Sequence, residues 1–181
     1  MSITARQTAF SILLKIEKDK AYSNIALDSA VRELSLDSTD CAFISRLVYG
    51  VTERKLTLDF VISQFLNQPI KKLKAEVLVI LRIGTYQILY MDKIPDSAAV
   101  NESVTLAKNN KSSYASGVVN AVLRKVSLER ENVFKSLSGD ERLSVLYSAP
   151  IDLVRFLKHH YNEENAEEIL KSALNKKEIT I

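Results

Sequence analysis

Apolar residues recur every three or four positions through most of this chain, which is the spacing of amphipathic α-helices. Ala9, Ile12 and Ile16 show it near the start, and Thr4 with Gln7 has the pattern of a helix capping box. The same spacing predicts these helical segments: Ala5–Lys18, Ser23–Glu33, a stretch from Ser38 that Pro69 ends, Leu73–Met91, a helix from Pro95 that stops in Asn109–Ser113, one carrying Val119 to Val126, and short helices within 139–175.

The segment from Leu73 to Met91 is apolar on nearly every side, so we predict a central helix enclosed by the others. Its run VLVIL also fits a strand, because a short apolar run does not distinguish the two by period. The length of the whole segment favours a helix. Gly84 in this segment and Gly117 in a later one are predicted to let helices approach closely.

Two features organise the rest of the chain. The apolar spacing slips between Gly50 and Lys55, which leaves either one long helix or two helices joined by a bend. Ser138 with Glu141 forms a second capping-box pattern, and the composition changes after it. We therefore predict a helical domain over residues 1–135 and the start of a helical linking segment over residues 136–181.

The composition supports an all-α fold. Four Gly and three Pro in 181 residues provide few turns for a sheet-rich protein, and 46% hydrophobic residues can form a substantial core. The single cysteine, Cys41, cannot form an internal disulfide, so we expect a buried thiol and a cytoplasmic protein. No apolar run reaches the length of a membrane span, and no membrane partner is expected.

The positive charge is concentrated in one window. Between Lys71 and Arg130 there are ten Lys or Arg and five Asp or Glu, whereas residues 141–181 contain six and seven. An anionic partner would bind in this window. A basic excess of this size is also common on solvated surfaces, and the charge pattern taken alone favours that interpretation.

Motifs for catalysis, metal binding or cofactor binding are not found in the sequence. No Gly-rich loop follows a strand pattern, so neither a dinucleotide nor a phosphate-binding loop is predicted. His159 and His160 are adjacent and would lie on different faces of a helix, which is poor geometry for a shared metal ion. The carboxylates that follow Asn162 suit the first turn of a helix and are predicted to form a solvated face.

Five motifs in order resemble one known family. SNIAL begins at Ser23 and LVYGVTER at Leu47, and they are followed by LRIGTYQILYM, IPDSAAVNESVTLAK and GVVNAVLRKV. Together they resemble the NusB-like domain that is fused to 16S rRNA cytosine-C5 methyltransferases of the RsmB/Sun/Fmu family. The resemblance covers roughly residues 4 to 127.

The resemblance implies a NusB-like helical bundle followed by a short helical linking segment. In such proteins a catalytic domain follows, binds S-adenosylmethionine and uses two cysteines, so this chain would hold no cofactor and would be inactive alone. The expected partners are ribosomal RNA and the protein's own C-terminal catalytic domain. Asn101, Glu102 and Asn120 are expected to satisfy hydrogen bonds rather than catalyse.

The implied RNA contacts are the basic residues of the matching segments and the nearby loops, because Lys and Arg neutralise phosphates. They are Arg6, Arg46, Arg54, Lys71, Lys72, Lys74, Lys108, Lys111, Arg124 and Lys125. Tyr49 and Tyr114 are candidates for stacking on bases, whereas Tyr86 and Tyr90 are expected in the core. Two alternatives stay open: a free NusB-type transcription antitermination factor, and a helical docking module without RNA contact.

Overall fold

A computed structural model of the protein describes residues 5–19, 23, 25, 27–28 and 37–174, and all regular structure in these ranges is helical. The all-α prediction is confirmed. The nine α-helices of the described ranges are α1 (Ala5–Asp19), α2 (Ser38–Glu53), α3 (Lys55–Ser63), α4 (Ala75–Tyr90), α5 (Asp96–Asn109), α6 (Ser116–Glu129), α7 (Gly139–Leu146), α8 (Ile151–His160) and α9 (Glu163–Leu174). Short 3₁₀ helices cover Ile70–Lys72 and Ser113–Ala115.

The slip in apolar spacing corresponds to a break between two helices. Arg54, with φ −94° and ψ 16°, separates α2 from α3, so the two-helix alternative is correct. Thr4 and most of the predicted second helix lie outside the described residues. The capping box at Ser138 is wrong: Ser138 precedes α7, but its side chain makes no capping hydrogen bond. Gly139, the first residue of α7, has a left-handed φ of 55°, which is not the usual entry into a capped helix.

Helix α4 is the centre of the bundle, as its apolar sequence predicts. Every residue from Val79 to Ile88 is buried, and α1, α2, α3, α5 and α6 all contact α4. The apolar core they form around it extends from Ala9 to Val126 along the chain. A helix without a polar face is stable in water only when neighbours cover it on all sides.

One charged side chain lies inside this core. The Arg82 side chain is 5% exposed, and its Nε and Nη2 donate to the two carboxylate oxygens of Asp59 at 2.6 and 2.7 Å. Its Nη1 donates to Glu17 Oε2 at 2.9 Å, and Lys55 Nζ donates to the same oxygen. This network ties α4 to α3 and α1. Separating these helices would leave the buried Arg82 charge unpaired, which costs several kcal/mol.

A second, smaller apolar cluster belongs to the last three helices. Leu143, Val154, Leu157, Ala166 and Leu170 form most of it. The predicted division of the chain at residues 135 and 136 falls between the two clusters and remains a prediction.

Three polar contacts join these last helices to the bundle, and we call them the α3–α7 junction. Arg54 Nη1 donates to the Leu146 carbonyl at 3.0 Å, and the Leu56 N–H donates to Ser148 Oγ at 3.0 Å. The buried Thr57 hydroxyl donates to the Val145 carbonyl at 2.6 Å. The junction thus supplies side-chain donors to two carbonyls in the last turn of α7, where backbone carbonyls lack the usual partner four residues on.

Close helix packing requires glycine at two positions, one of them expected. A Cβ on Gly84 would overlap Leu123 and lie 2.7 Å from Ser103 Oγ, and one on Gly50 would overlap the Tyr86 ring. A Cβ on Gly117 would meet no atom within 4 Å, so the predicted role of Gly117 is wrong. Gly117 lies on the exposed side of α6, where no other helix of the described ranges packs against it.

Replacing Gly84 with alanine should lower the free energy of unfolding by about 1–3 kcal/mol, because Leu123 and Ser103 must move in a packed core. Gly117→Ala is the matched control. It should leave stability unchanged or raise it by up to about 1 kcal/mol, because alanine favours a helix over glycine. Urea denaturation of both variants measures the difference, and equal effects would contradict this account of Gly84.

The Glu17 carboxylate should make stability depend on pH. Burial acts to raise the pKa of Glu17, but the hydrogen bond from Lys55 and the charge of Arg82 outweigh it and hold the pKa below the ordinary value. A carboxyl whose pKa is lower in the folded state stabilises the protein above its unfolded pKa. This contribution is lost as the pH falls through the folded pKa.

Urea denaturation from about pH 7 to about pH 3, across the ordinary range of a glutamate pKa, tests this pH dependence. Wild-type protein should exceed Glu17→Gln in stability at neutral pH, and the difference should shrink toward acid pH. The exposed Glu131→Gln is the control and should show no such convergence. A difference between wild type and Glu17→Gln that stays constant with pH would contradict the prediction.

Candidate nucleic-acid interface

One of the predicted RNA-contacting lysines contacts an exposed tyrosine, and three more lie within three residues of that contact along the chain. Lys71 and Lys72 are exposed in the 3₁₀ helix Ile70–Lys72, and Lys74 directly precedes α4. Lys74 Nζ lies 5.1 Å from the ring centroid of Tyr114, which is 64% exposed. Lys111 is three residues before Tyr114 and is also exposed. We call Lys71, Lys72, Lys74, Lys111 and Tyr114 the lysine surface.

The backbone adds positive potential to the lysine surface. Helix α4 begins after Lys74 and α6 begins after Ala115, and neither of these N-cap residues provides a side-chain capping hydrogen bond. Helix N-termini carry partial positive charge and free N–H groups. The contact between Lys74 and Tyr114 brings both N-termini to the same part of the molecule.

The acidic residue that lies nearest in sequence to the lysine surface is neutralised by an ion pair. Glu76, in the first turn of α4, forms an ion pair with Lys18. The hydrogen bond from Lys18 holds the pKa of Glu76 below its ordinary value. Within the described part of the chain, the four lysines of the lysine surface form no ion pair. Lys108 is exposed in the last turn of α5, three residues before Lys111 in the sequence.

Three predicted arginines instead bind groups within the protein. Arg6 Nε donates to Gln87 Oε1 at 2.9 Å, and its guanidinium lies over the Phe43 ring. The exposed Arg46 donates through Nη2 to the Tyr90 carbonyl at 2.9 Å.

Arg54 belongs to the α3–α7 junction, and its guanidinium lies 4.9 Å from the Tyr90 ring centroid. Burial raises the pKa of Tyr90, and the charge of Arg54 acts in the opposite direction. These contacts give Arg6, Arg46 and Arg54 structural roles in the bundle.

The remaining two predicted cations lie farther along α6. Arg124 is exposed, and its Nε donates to Asn120 Oδ1 at 3.2 Å. Lys125 is also exposed and borders a cleft that contains no residue of the lysine surface. Both are about 12–14 Å from the start of α6, at 1.5 Å per helical residue. The structure therefore does not bring them into the lysine surface.

The aromatic candidates differ in exposure. Tyr114 is exposed, whereas Tyr49 is half-buried and packs against the core, which leaves Tyr114 as the stacking candidate. Tyr86 is buried and Tyr90 half-buried, as expected for core residues. No sequence signal pairs Lys74 with Tyr114, because the two residues are 40 positions apart and meet only through packing.

Other expectations about reactive side chains have mixed outcomes. Cys41 is half-buried rather than fully buried, because it lies in the first turn of α2 beside exposed positions. His159 and His160 are exposed. Asn120 accepts a hydrogen bond and Glu102 pairs with Arg6 at 3.9 Å, but Asn101 is exposed.

The described ranges contain neither a candidate metal site nor a candidate membrane-spanning helix. No group of three or more His, Cys, Asp or Glu side chains there could hold a metal ion. Among the same residues, no helix has the length and apolar character needed to cross a membrane.

Comparison with known proteins shows the family. The NusB family model matches residues 3–128, and the chain belongs to the NusB family. The chain is 34% identical, over 93% of its length, to the probable ribosomal RNA small subunit methyltransferase B of Bacillus subtilis. It is 37% identical over 92% to the protein of that name from Synechocystis. The chain spans 38% of the length of each of these two relatives.

Relatives that lack the additional length of these methyltransferases match a shorter part of this chain. The transcription antitermination protein NusB of Ruminiclostridium cellulolyticum is 38% identical over 68% of this chain, which covers 86% of that protein. The T. maritima NusB structure aligns with a TM-score of 0.63 at 21% identity, covering 77% of this chain and 94% of the other. The PH0851 crystal structure aligns with a TM-score of 0.74 at 16% identity, covering 98% of this chain and 40% of the other. Both alignments support the all-α fold.

Arg54→Ala separates a structural role from an RNA-binding one. The variant removes a charged donor to the Leu146 carbonyl and the interaction with Tyr90, so its free energy of unfolding should fall by about 1–2 kcal/mol. Lys72→Ala, on the lysine surface, should change stability by less than about 0.5 kcal/mol. Urea denaturation measures both variants. An Arg54→Ala variant with unchanged stability would contradict the structural role of Arg54.

Proposed function

We propose that this chain is the N-terminal RNA-docking part of an S-adenosylmethionine-dependent methyltransferase that modifies cytosine C5 in 16S ribosomal RNA. The observation that carries the proposal is the extent of the match to the methyltransferase relatives. That match covers 169 residues and leaves 12 of the 181 unmatched, so it must include most of α7 to α9. The NusB family match ends at residue 128, before these helices begin.

The same comparison favours this proposal over the alternative of a free antitermination factor. Such a factor accounts for the bundle of α1 to α6, because its relatives match that part at similar identity. It gives no role to α7, α8 and α9, which form their own apolar cluster and attach through the α3–α7 junction. A longer methyltransferase uses the whole chain.

The part that binds S-adenosylmethionine is assigned to the remainder of the longer, cytoplasmic protein. The described residues contain neither a strand followed by a Gly-rich loop nor a second cysteine beside Cys41. They do not fit this cofactor or the methyl transfer, and the role of this chain is binding. Its partners are ribosomal RNA and the catalytic part of the same protein.

The lysine surface is the part of the chain that we assign to RNA docking. Its four lysines are exposed and form no ion pair among the described residues, so they are available to phosphate groups. Tyr114 offers an exposed ring on which an unpaired base can stack. Contacts of this kind provide affinity with little reading of sequence, which suits a domain that positions RNA for a separate catalytic part.

Charge reversal at the lysine surface tests the proposal. Lys71→Glu/Lys72→Glu should weaken binding to protein-free small-subunit ribosomal RNA. It should also flatten the salt dependence by about 0.7–0.9 in log–log slope for each phosphate that the variant no longer neutralises. Fluorescence anisotropy over a series of KCl concentrations measures both quantities.

The matched control is Lys135→Glu/Lys171→Glu, which changes the net charge equally at exposed positions outside the lysine surface. This control should keep most of the wild-type affinity and slope. Equal weakening by the two double variants would show that only net charge matters. Absence of wild-type binding at low salt would refute RNA docking and favour a docking module without RNA contact.

A further inference from the structure

Helix α8 has an apolar face that nothing in the described structure covers. Val154 and Leu157 are buried in the cluster of the last three helices. Leu153 and Phe156, on the neighbouring face, are 44% and 55% exposed. His160 follows one turn later, with its ring centroid 4.2 Å from that of Phe156. We call Leu153, Phe156 and His160 the α8 stripe.

Exposed apolar side chains are concentrated in this part of the chain. Ten large apolar residues of the described structure are exposed, and five of them fall between Ile151 and Ile169. Scattered exposed apolar residues are ordinary, but a concentration of them marks an interaction surface. The α8 stripe contains two of these five, including the only exposed phenylalanine in the described ranges.

The charged residues on a different side of α8 from the stripe are paired with the start of α7. Lys158 Nζ lies 2.8 Å from Asp140 Oδ1, and Arg155 Nε lies 3.5 Å from Asp140 Oδ2. These ion pairs also fasten α8 to the start of α7. The stripe takes no part in these ion pairs and presents its apolar side chains to solvent, and apolar and aromatic side chains of this kind form the core of protein–protein interfaces.

The comparisons indicate which partner such a surface would face. Relatives that extend far beyond this chain match it through its last helices, whereas the NusB family match ends before them. The fold alignment with PH0851 likewise covers 98% of this chain within a longer polypeptide. The helices that carry the exposed apolar residues therefore occur together with a further region of protein.

We propose that the α8 stripe docks on the catalytic part of the longer methyltransferase and holds the RNA-docking bundle in a defined position against it. The inference rests on the proposed function and adds the surface through which the two parts meet. A partner with a complementary apolar patch would bury Leu153 and Phe156, and His160 would lie at the edge of the contact.

A second copy of the chain fits the stripe less well. Helix α8 has ten residues and is about 15 Å long at 1.5 Å per residue. Three side chains on a helix of this length offer much less than the roughly 800 Å² per partner of a stable interface. A larger partner that also contacts neighbouring elements can supply the missing area.

Cysteine accessibility in the long and short forms of the protein tests the docking. In a Cys41→Ser background, Phe156→Cys is compared with Leu128→Cys, because Leu128 is 79% exposed on α6 and lies outside the stripe. Each variant is prepared as residues 1–181 and as the full product of its reading frame. Reaction with a maleimide is then timed, and the label at the introduced cysteine is quantified by peptide mass spectrometry, because the catalytic part is expected to carry cysteines of its own.

In residues 1–181 both cysteines should react at similar rates. In the full product the cysteine at 156 should react roughly tenfold more slowly, while that at 128 should change by less than about twofold, because thiol reactivity follows access. Thermal unfolding by circular dichroism checks that each variant folds. Leu153→Cys replaces Phe156→Cys if the latter does not fold.

Equal rates at position 156 in both forms would overturn the docking surface and leave the methyltransferase assignment intact. Labelling at position 156 that is already slow in residues 1–181, and that becomes slower as the protein concentration rises, would indicate pairing of two copies. That result would also overturn the docking surface. If the wild-type protein does not bind RNA but position 156 is protected in the full product, RNA docking is refuted and the docking surface stands. A reading frame that ends close to residue 181 would defeat both proposals.

Discussion

Helix α4 imposes the main constraint on this protein, because it is apolar on every side and must be enclosed to be stable in water. Five helices of the described structure surround it, and the charged residue it carries must be matched within the enclosure. Arg82 is matched by Asp59 from α3 and Glu17 from α1, so one buried guanidinium specifies the positions of two neighbouring helices. Removal of either partner would leave charge in a region of low dielectric constant.

The fold divides its cations by their chemistry. Arg6, Arg54 and Arg82 use planar guanidinium groups to bind carbonyl, amide or carboxylate oxygens inside the protein. The lysines of the lysine surface remain exposed, and one of them, Lys74, lies beside Tyr114. Phosphate binding requires available charge, and the lysine surface keeps four exposed lysines that form no ion pair among the described residues.

The last three helices give the chain a second kind of surface. They attach to the bundle through the α3–α7 junction, in which donors of α3 and its preceding residue satisfy carbonyls at the end of α7. Their own apolar cluster covers one face of α8 and leaves the neighbouring face exposed. On our proposals, a charged surface faces RNA and an apolar surface faces protein, which is the arrangement expected of a domain that brings a substrate to an enzyme.

Local patterns were enough to predict the helices and the central place of α4, because apolar spacing is a property of neighbouring residues. They located the slip near Arg54 but did not decide between one helix and two. The motifs also indicated the family. Packing in three dimensions determined which glycine is enclosed, since Gly84 and Gly117 look alike in sequence but only Gly84 has a neighbouring helix against it in the described structure. It likewise determined that Arg54 binds a carbonyl 92 positions away and that Lys74 meets Tyr114. Contacts between distant positions depend on how helices pack, and no local pattern encodes them.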